Sequence, residues 1–256
     1  MFKEEERIKI NKDAWNIVAP QFFEGSFTNL EYGMYAPSEE ELNFLGDLKG
    51  KVILEVGCGS GHTLEYMARA GAGELFGVDL STAQLESAKK VNSQFNIPIT
   101  LIESPMEELK GVPRNYFDIA ISIYALGWTV NLSKTLSNIF DALKPGGVFV
   151  FSWEHPVHSL LEYRDGKLVF KRSYVEEGYE KHESWRTVSI VMHYRKLSTY
   201  INGLIKAGFI IDQVVEETRI PENDTGEPNQ WYSAEKARTL PPDLIIKSHK
   251  PDFNIG

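Results

Sequence analysis

The stretch Val52-Ile53-Leu54-Glu55-Val56-Gly57-Cys58-Gly59-Ser60-Gly61-His62 constrains this chain more than any other. It opens as an apolar run of the kind that forms a strand buried on both faces. Three glycines at alternate positions follow, and then Thr63-Leu64-Glu65-Tyr66-Met67-Ala68-Arg69-Ala70, a good helix former closed by Gly71. Strand, glycine turn and helix start together make a binding device. Glycine lets the backbone turn sharply and approach a ligand with no Cβ in the way. The helix start adds free N–H groups and a partial positive charge. The loop is not Walker A, because no Lys-Ser/Thr pair follows the last glycine. It is not the dinucleotide fingerprint either, because the spacing is G-x-G-x-G and an acid, Glu55, sits in the strand end. An anionic side chain there repels a pyrophosphate and suits a cationic ligand.

With 256 residues, 42% hydrophobic and 25% charged, the chain has the size and composition of one globular domain carrying a lid or insertion. No apolar run approaches the roughly 20 residues that a membrane span needs. The charged start Met1-Phe2-Lys3-Glu4-Glu5-Glu6 is not a signal peptide, and the single cysteine, Cys58, excludes an internal disulfide. Both point to a cytoplasmic location. A net charge of −9 weighs against binding a phosphate backbone.

Strand and helix alternate through most of the sequence. After the glycine loop, strands are expected at Glu74–Asp79, Ile99–Ile102, Tyr116–Ile123, Val148–Trp153 and Leu244–Ser248. Helical spacing at Leu132, Leu136, Ile139, Phe140 and Leu143 ends at Lys144-Pro145-Gly146-Gly147, and residues 199–217 repeat the helix–Gly–strand pattern around Gly208. The alternation predicts an α/β fold with a doubly wound sheet. A short helix is expected over Asn11–Phe23, then an aromatic-rich segment through Gly25, Phe27, Tyr32, Met34 and Tyr35 to Pro37, so that residues 1–37 form an N-terminal lid. Ser38-Glu39-Glu40-Glu41 reads as the capped start of a helix running to about Leu48. Residues 154–195 break the alternation. Two strands are expected there, Leu168–Tyr174 and Arg186–Tyr194, as one inserted β-hairpin that touches substrate or, alternatively, forms a homodimer.

The glycine loop resembles the first motif of the class I S-adenosylmethionine-dependent methyltransferases, E/D-x-G-x-G-x-G, in which Glu55, Gly57, Gly59 and Gly61 fill every slot. Tyr116-Phe117-Asp118 through Ser122, and the Leu143-Lys144-Pro145-Gly146-Gly147 turn, resemble later motifs of the same family. The resemblance covers roughly residues 40–153 and 197–250. It implies a Rossmann-like, seven-stranded, mostly parallel sheet in the order 3-2-1-4-5-7-6, a single methyltransferase domain over 1–256 and S-adenosylmethionine as cofactor. Asp79, 18 residues beyond Gly61 at the tip of the next strand, is placed to accept the ribose hydroxyls of an adenosine, with Leu80 beside it. NAD enzymes use a carboxylate in the same way, so Asp79 alone does not separate a dehydrogenase from a methyltransferase. Where the family shows an Asp-Ala-Glu-like triplet, this chain has Pro105-Met106-Glu107. Ser104, Glu103, Glu107 or a backbone carbonyl is left for the adenine amino group, and the Met106 N–H for a ring nitrogen. The resemblance also places the backbone of Ile123 and Tyr124 against the methionine part of the cofactor, with Cys58 as a small packing residue in the loop.

Methyl transfer from a sulfonium asks mainly for alignment and exclusion of water. An O or N acceptor also needs a base, and Glu154-His155-Pro156-Val157-His158 follows the fifth strand at the ligand-binding edge, so His155 is the first candidate and His158 the second. The same cluster has no distal ligand to complete a metal site. Trp128 either walls the transfer cavity or belongs to the core. These readings favour a small-molecule methyltransferase. The alternatives are a tRNA or protein methyltransferase, which a basic surface around Lys167, Lys171, Arg172, Arg186, Arg195 and Lys196 would support, and a non-catalytic binding protein.

Overall fold

The computed structural model describes residues 2–22, 29–224 and 231–252. The strands, in chain order, are β1 (Val52–Val56), β2 (Glu74–Asp79), β3 (Ile99–Glu103), β4 (Phe117–Ile123), β5 (Leu143–Glu154), β6 (Leu161–Arg164), β7 (Lys167–Phe170), β8 (Gly178–Trp185), β9 (Val188–Tyr194), β10 (Ile210–Val215) and β11 (Asp243–His249). The helices are α1 (Glu4–Val18), α2 (Glu39–Leu42), α3 (His62–Arg69), α4 (Thr82–Asn92), α5 (Leu132–Ala142), α6 (Leu197–Ala207) and α7 (Ala234–Thr239). Seven strands form one sheet in the order β10-β11-β5-β4-β1-β2-β3. Only β11 runs against its neighbours, β5 and β10, as the motif resemblance implied.

Both faces of this sheet are buried, which is why its strands read as near-continuous apolar runs. Successive residues of one strand enter opposite cores. Leu54 and Val56 pack with Phe149, Phe151, Leu136 and Leu244, while Ile53 packs with Val150, Ile245 and Met67. Each such fully buried side chain contributes about 1.5–3 kcal/mol.

Four expectations from sequence are corrected. Helix α1 begins at Glu4 instead of Asn11, because Lys3 N donates to Glu6 Oε2 at 2.8 Å and caps the earlier start. Helix α2 is a single turn. Asn43 enters the left-handed region at φ 47°, and the buried Glu39 carboxylate accepts from Phe44 N at 3.1 Å and Leu45 N at 2.8 Å, ending the helix there. Strand β5 starts at Leu143, directly after α5, because Leu143 already pairs with Phe117; the Pro145-Gly146-Gly147 run is an irregularity inside the strand. Gly146 N donates to Lys250 O at 2.9 Å, and Lys250 Nζ caps the Phe140 and Leu143 carbonyls. The insertion holds two hairpins, β6–β7 and β8–β9, so Leu168 and Arg186 lie in different ones. The Asp165-Gly166 turn, with φ 50° and 77°, closes the first.

Helix α1 joins the insertion to the sheet. The buried Asn11 amide donates to Val191 O at 3.0 Å and accepts from Val191 N at 2.8 Å, which covers the free edge of β9. One turn later Asn16 Oδ1 accepts from Ser81 Oγ at 2.7 Å and Ala83 N at 3.2 Å, at the start of α4. Of the expected lid, Phe23, Gly25 and Phe27 lie outside the described residues.

Candidate functional site

A cavity of about 1020 Å³ opens at the carboxyl ends of β1, β2, β4 and β5, under α1 and the β8–β9 hairpin. Open α/β sheets bind ligands at this position, where the chain reverses direction across the sheet. Here the reversal lies between β1 and β4.

The glycine loop forms the floor. Gly57 N and Cys58 N both donate to Val78 O, at 2.7 and 3.0 Å, and Gly61 N donates to Cys58 O at 2.9 Å. Its three glycines have separate duties. Gly57 has φ 79°, and a Cβ on it would stand 2.2 Å from Ala125 Cβ, so it is needed for packing between β1 and the loop after β4. A Cβ on Gly61 would meet Asn92 Nδ2 at 2.6 Å and Ala88 Cβ at 2.8 Å, which keeps α3 tight against α4. A Cβ on Gly59 would meet nothing closer than Gln84 Oε1 at 3.9 Å. The backbone there faces open cavity.

Two carboxylates stand over this floor. Asp79 accepts from Gly59 N at 2.9 Å through Oδ2 and from Ser81 N at 2.8 Å through Oδ1, which fixes both oxygens and leaves lone pairs for a ligand. Burial raises its carboxyl above the usual range, opposed by these N–H bonds. Ser81 caps α4 by accepting from Gln84 N, so Asp79 is not needed as that cap. Glu55 is 2% exposed, and its Oε2 has no hydrogen-bond partner. Burial pushes its carboxyl well above the ordinary range, with the Asp79 charge adding. The Thr63 side chain and the Leu64 amide hold the carboxyl, and the oxygen they leave without a donor at the cavity suits a cationic or donor ligand group.

Of the residues expected to touch cofactor, Glu55, Gly57, Cys58, Gly59, Asp79, Leu80, Ser104, Met106, Ile123 and Tyr124 all line this one cavity, and Gly61 sits just behind it. The Cys58 thiol is buried and pushed up by desolvation. Ser104 Oγ accepts from Lys110 N at 3.0 Å and donates to Pro105 O at 3.0 Å, so it holds its own loop. Glu107 is buried and accepts from Thr129 Oγ1 and the Val130 and Asn131 amides, tying the loop after β3 to the start of α5.

The two histidines are placed differently from expectation: neither His155 nor His158 lines the cavity. His155 N donates to Pro242 O at 2.8 Å, and the ring turns to Glu216 Oε1, 2.7 Å from Nε2. Burial lowers its pKa, opposed by Glu216. His158 is buried and stacked on Tyr232, ring centroids 5.5 Å apart. The wall at the tip of β5 is taken by the residues just before them, Trp153 and Glu154. Among the described residues no group of three or more His, Cys, Asp or Glu side chains is arranged to hold a metal ion.

The far end of the cavity went largely unread in the sequence. All five tryptophans of the chain, Trp15, Trp128, Trp153, Trp185 and Trp231, line the same cavity. Trp128 does both things expected of it, since it faces the cavity and packs edge-on against Trp15, Trp153 and Trp185 at 5.3–6.0 Å between centroids. Five tryptophans spread over the lid, three loops or strand tips and the insertion were the available signal, but no local period links them.

The comparisons agree with this geometry. A family model described as a methyltransferase domain matches residues 54–151. A Haemophilus influenzae protein named "Uncharacterized protein" is 32% identical over 221 residues, 82% of this chain and 85% of its own. The crystal structure of an S-adenosylmethionine-dependent methyltransferase from Mesorhizobium loti superposes with a TM-score of 0.70 at 28% identity, covering 82% of this chain and 95% of that one. A ubiquinone biosynthesis O-methyltransferase from Psychrobacter cryohalolentis is 33% identical over 126 residues, 48% of each chain. Sheet order, motif and relatives agree, and the chain belongs to the class I S-adenosylmethionine-dependent methyltransferases, with S-adenosylmethionine as its cofactor.

Proposed function

We propose that the protein transfers a methyl group from S-adenosylmethionine to a small-molecule acceptor. The observation that carries this is the continuity of the cavity: the glycine floor and the tryptophan end belong to one enclosure of about 1020 Å³. That is at the upper end of the roughly 300–1,000 Å³ of small-molecule sites.

The residues present fit the cofactor. The unpartnered Glu55 Oε2 answers an ammonium group, the fixed oxygens of Asp79 answer ribose hydroxyls, and the open backbone at Gly59 admits close approach. Bound there, the cofactor supplies an activated methyl carbon on a sulfonium. The chain's own work is to hold, orient and dry the site. Tyr124 adopts φ 50° and donates through its hydroxyl to Asp243, which fixes the turn after β4 against the lid. Trp15, Trp128 and Trp185 keep water from the acceptor end, a condition that strengthens every electrostatic contact inside. The wall residues that are bases in kind are Glu154 and His182, whose Nε2 lies 2.9 Å from the Tyr194 hydroxyl, and His155 serves instead as a tie to Glu216.

A small acceptor is favoured over RNA because the three arginines of the expected basic surface are already engaged. Arg172 lies 3.8 Å from the Tyr194 ring centroid, Arg186 4.8 Å from that of Phe22, and Arg195 donates to the Gly127 and Thr129 carbonyls. The test is tritium transfer from methyl-labelled cofactor into a cell extract. Label in the low-mass fraction is the expected result. Label confined to RNA or protein, or cofactor binding with no transfer, would overturn the reading.

A further inference from the structure

We propose that the acceptor end of this cavity recognises an organic ammonium compound, so that the molecule methylated is an amine. This rests on the methyltransferase reading above and names the class of its acceptor.

The argument starts from what walls that end. The five tryptophan rings give it π faces, which attract cations more strongly than any other aromatic side chain. Its charged groups are mostly of one sign. With Glu55 and Asp79 assigned to the cofactor and Glu107 to its loop, the carboxylates lining the cavity among the described residues are Glu31, Glu154 and Glu183. Glu183 is satisfied by Ser189 Oγ at 2.7 Å and Lys181 Nζ at 2.9 Å, and Glu31 stands at the exposed rim.

Glu154 is different. It is 4% exposed, at the very tip of β5, and takes donors from two aromatic wall residues, the indole N–H of Trp231 and the hydroxyl of Tyr232. His158 Nδ1 lies 3.6 Å from its Oε1, beyond hydrogen-bond length. A buried carboxylate on the wall of a tryptophan-rich cavity is a combination that binds a desolvated ammonium, through an ion pair and cation–π contacts with rings elsewhere on the wall.

The positive groups nearby offset part of this charge from behind the wall, since Lys171 and Lys236 both lie within electrostatic reach of Glu154, but they leave the cavity side to the carboxylate. Among the described residues Arg186 is the one arginine or lysine on the wall, and its guanidinium is spent on the Phe22 and Trp185 rings and on Gln21 Oε1 at 3.1 Å. Lys171, 4.4 Å from the Trp231 ring centroid, and Lys236, which donates to Trp231 O at 3.2 Å, do not line the cavity. An anionic acceptor would meet carboxylates and ring faces there, both of which repel it. A neutral phenol or alcohol would find the rings and could donate one hydrogen bond to Glu154, but would leave its charge unneutralised. For an amine, Glu154 also gives one ammonium proton a place to go, which exposes the nitrogen lone pair.

The experiment uses the full chain and three probes of similar size and different charge: benzylammonium, benzyl alcohol and benzoate. S-adenosylhomocysteine is bound first and its affinity measured by calorimetry. Each probe is then titrated into the loaded protein while tryptophan fluorescence is followed, every indole being in the cavity wall. Benzylammonium is expected to bind about tenfold or more tighter than benzyl alcohol, and benzoate weakest. Glu154→Gln is expected to reduce that preference about tenfold while leaving S-adenosylhomocysteine affinity unchanged. Equal or tighter binding of the alcohol or of benzoate, saturable binding of none of the three, or an unchanged preference in Glu154→Gln overturns the proposal. Should the variant not fold, the ranking on the wild-type protein decides. Failure to bind S-adenosylhomocysteine at all would instead strike the cofactor-site reading beneath it.

Discussion

The Tyr124 hydroxyl donates to Asp243 Oδ1, joining the turn after β4 to the first residue of β11. The other carboxylate oxygen, Oδ2, accepts from Tyr35 N at 3.0 Å. One side chain thus connects the cofactor floor, the sheet and the segment that covers them. Its setting is tight: a Cβ on Gly33 would stand 2.3 Å from Asp243 Oδ1.

This arrangement has a pH signature. Burial raises the Asp243 carboxyl from its ordinary 3.8 to about 7, against the pull of the Tyr35 and Met34 amides. The folded chain therefore keeps a proton that the unfolded chain has released, so this group's contribution to stability falls as pH rises from about 4 to about 7. Asp243→Asn cannot lose that proton. Urea unfolding of both proteins across the range is expected to show the variant gaining on wild type as pH rises; a constant difference would contradict the assignment.

The glycines of the floor should separate folding from binding. Gly57→Ala, with its Cβ 2.2 Å from Ala125 Cβ, is expected to destabilise the protein by about 2 kcal/mol or more. Gly59→Ala, at φ 50° with open space beside it, is expected to cost only about 1 kcal/mol of stability. Its larger effect should be on S-adenosylhomocysteine affinity. Thermal melts with and without that ligand distinguish the two, and equal loss of affinity per unit of stability lost would refute the separation.

Glu55 and Asp79 should behave differently in the empty protein. Glu55→Gln keeps the shape of a carboxyl whose charged form burial already disfavours, so the ligand-free melting temperature is expected to hold while ligand affinity falls. Asp79→Ala unties the Gly59 and Ser81 amides, so the ligand-free protein should lose stability as well. Its loss of affinity is expected at about 10- to 100-fold, roughly 1.5–3 kcal/mol for charge-assisted bonds. Calorimetric titration of S-adenosylhomocysteine reads both, and unchanged affinity in either variant would remove that residue from the site.

His155→Ala should act as a structural change. Its ring ties the end of β5 to Glu216, just beyond β10, so a loss of about 1–2 kcal/mol in stability is expected with cofactor affinity unchanged. Weakened binding without loss of stability would return this histidine to the site.

What was legible in the sequence follows from range. Strand β1, the glycine loop and Asp79 are encoded within 28 residues, where composition and spacing report the local backbone directly. Sheet order came through the motif resemblance. The acceptor end was not legible, because Trp15, Trp128, Trp153, Trp185 and Trp231 meet only after the sheet, the lid helix and the insertion are assembled. The two histidines misled for a physical reason: strand side chains alternate, and the chain leaves β5 after Glu154, turning His155 toward Glu216. The first hairpin of the insertion, β6–β7, was hidden for a lesser one. Its Asp165-Gly166 turn is a strong two-residue signal, but the strands on either side are only four residues long.

The paired bonds between Asn11 and Val191 also bear on solubility. They cap the outer border of the β8–β9 ribbon, a row of main-chain donors and acceptors that would otherwise be open to a second ribbon of the same kind. A shortened chain lacking α1 would therefore bare an adhesive strand, and its first symptom should be self-association through Val188–Tyr194, ahead of any defect in chemistry.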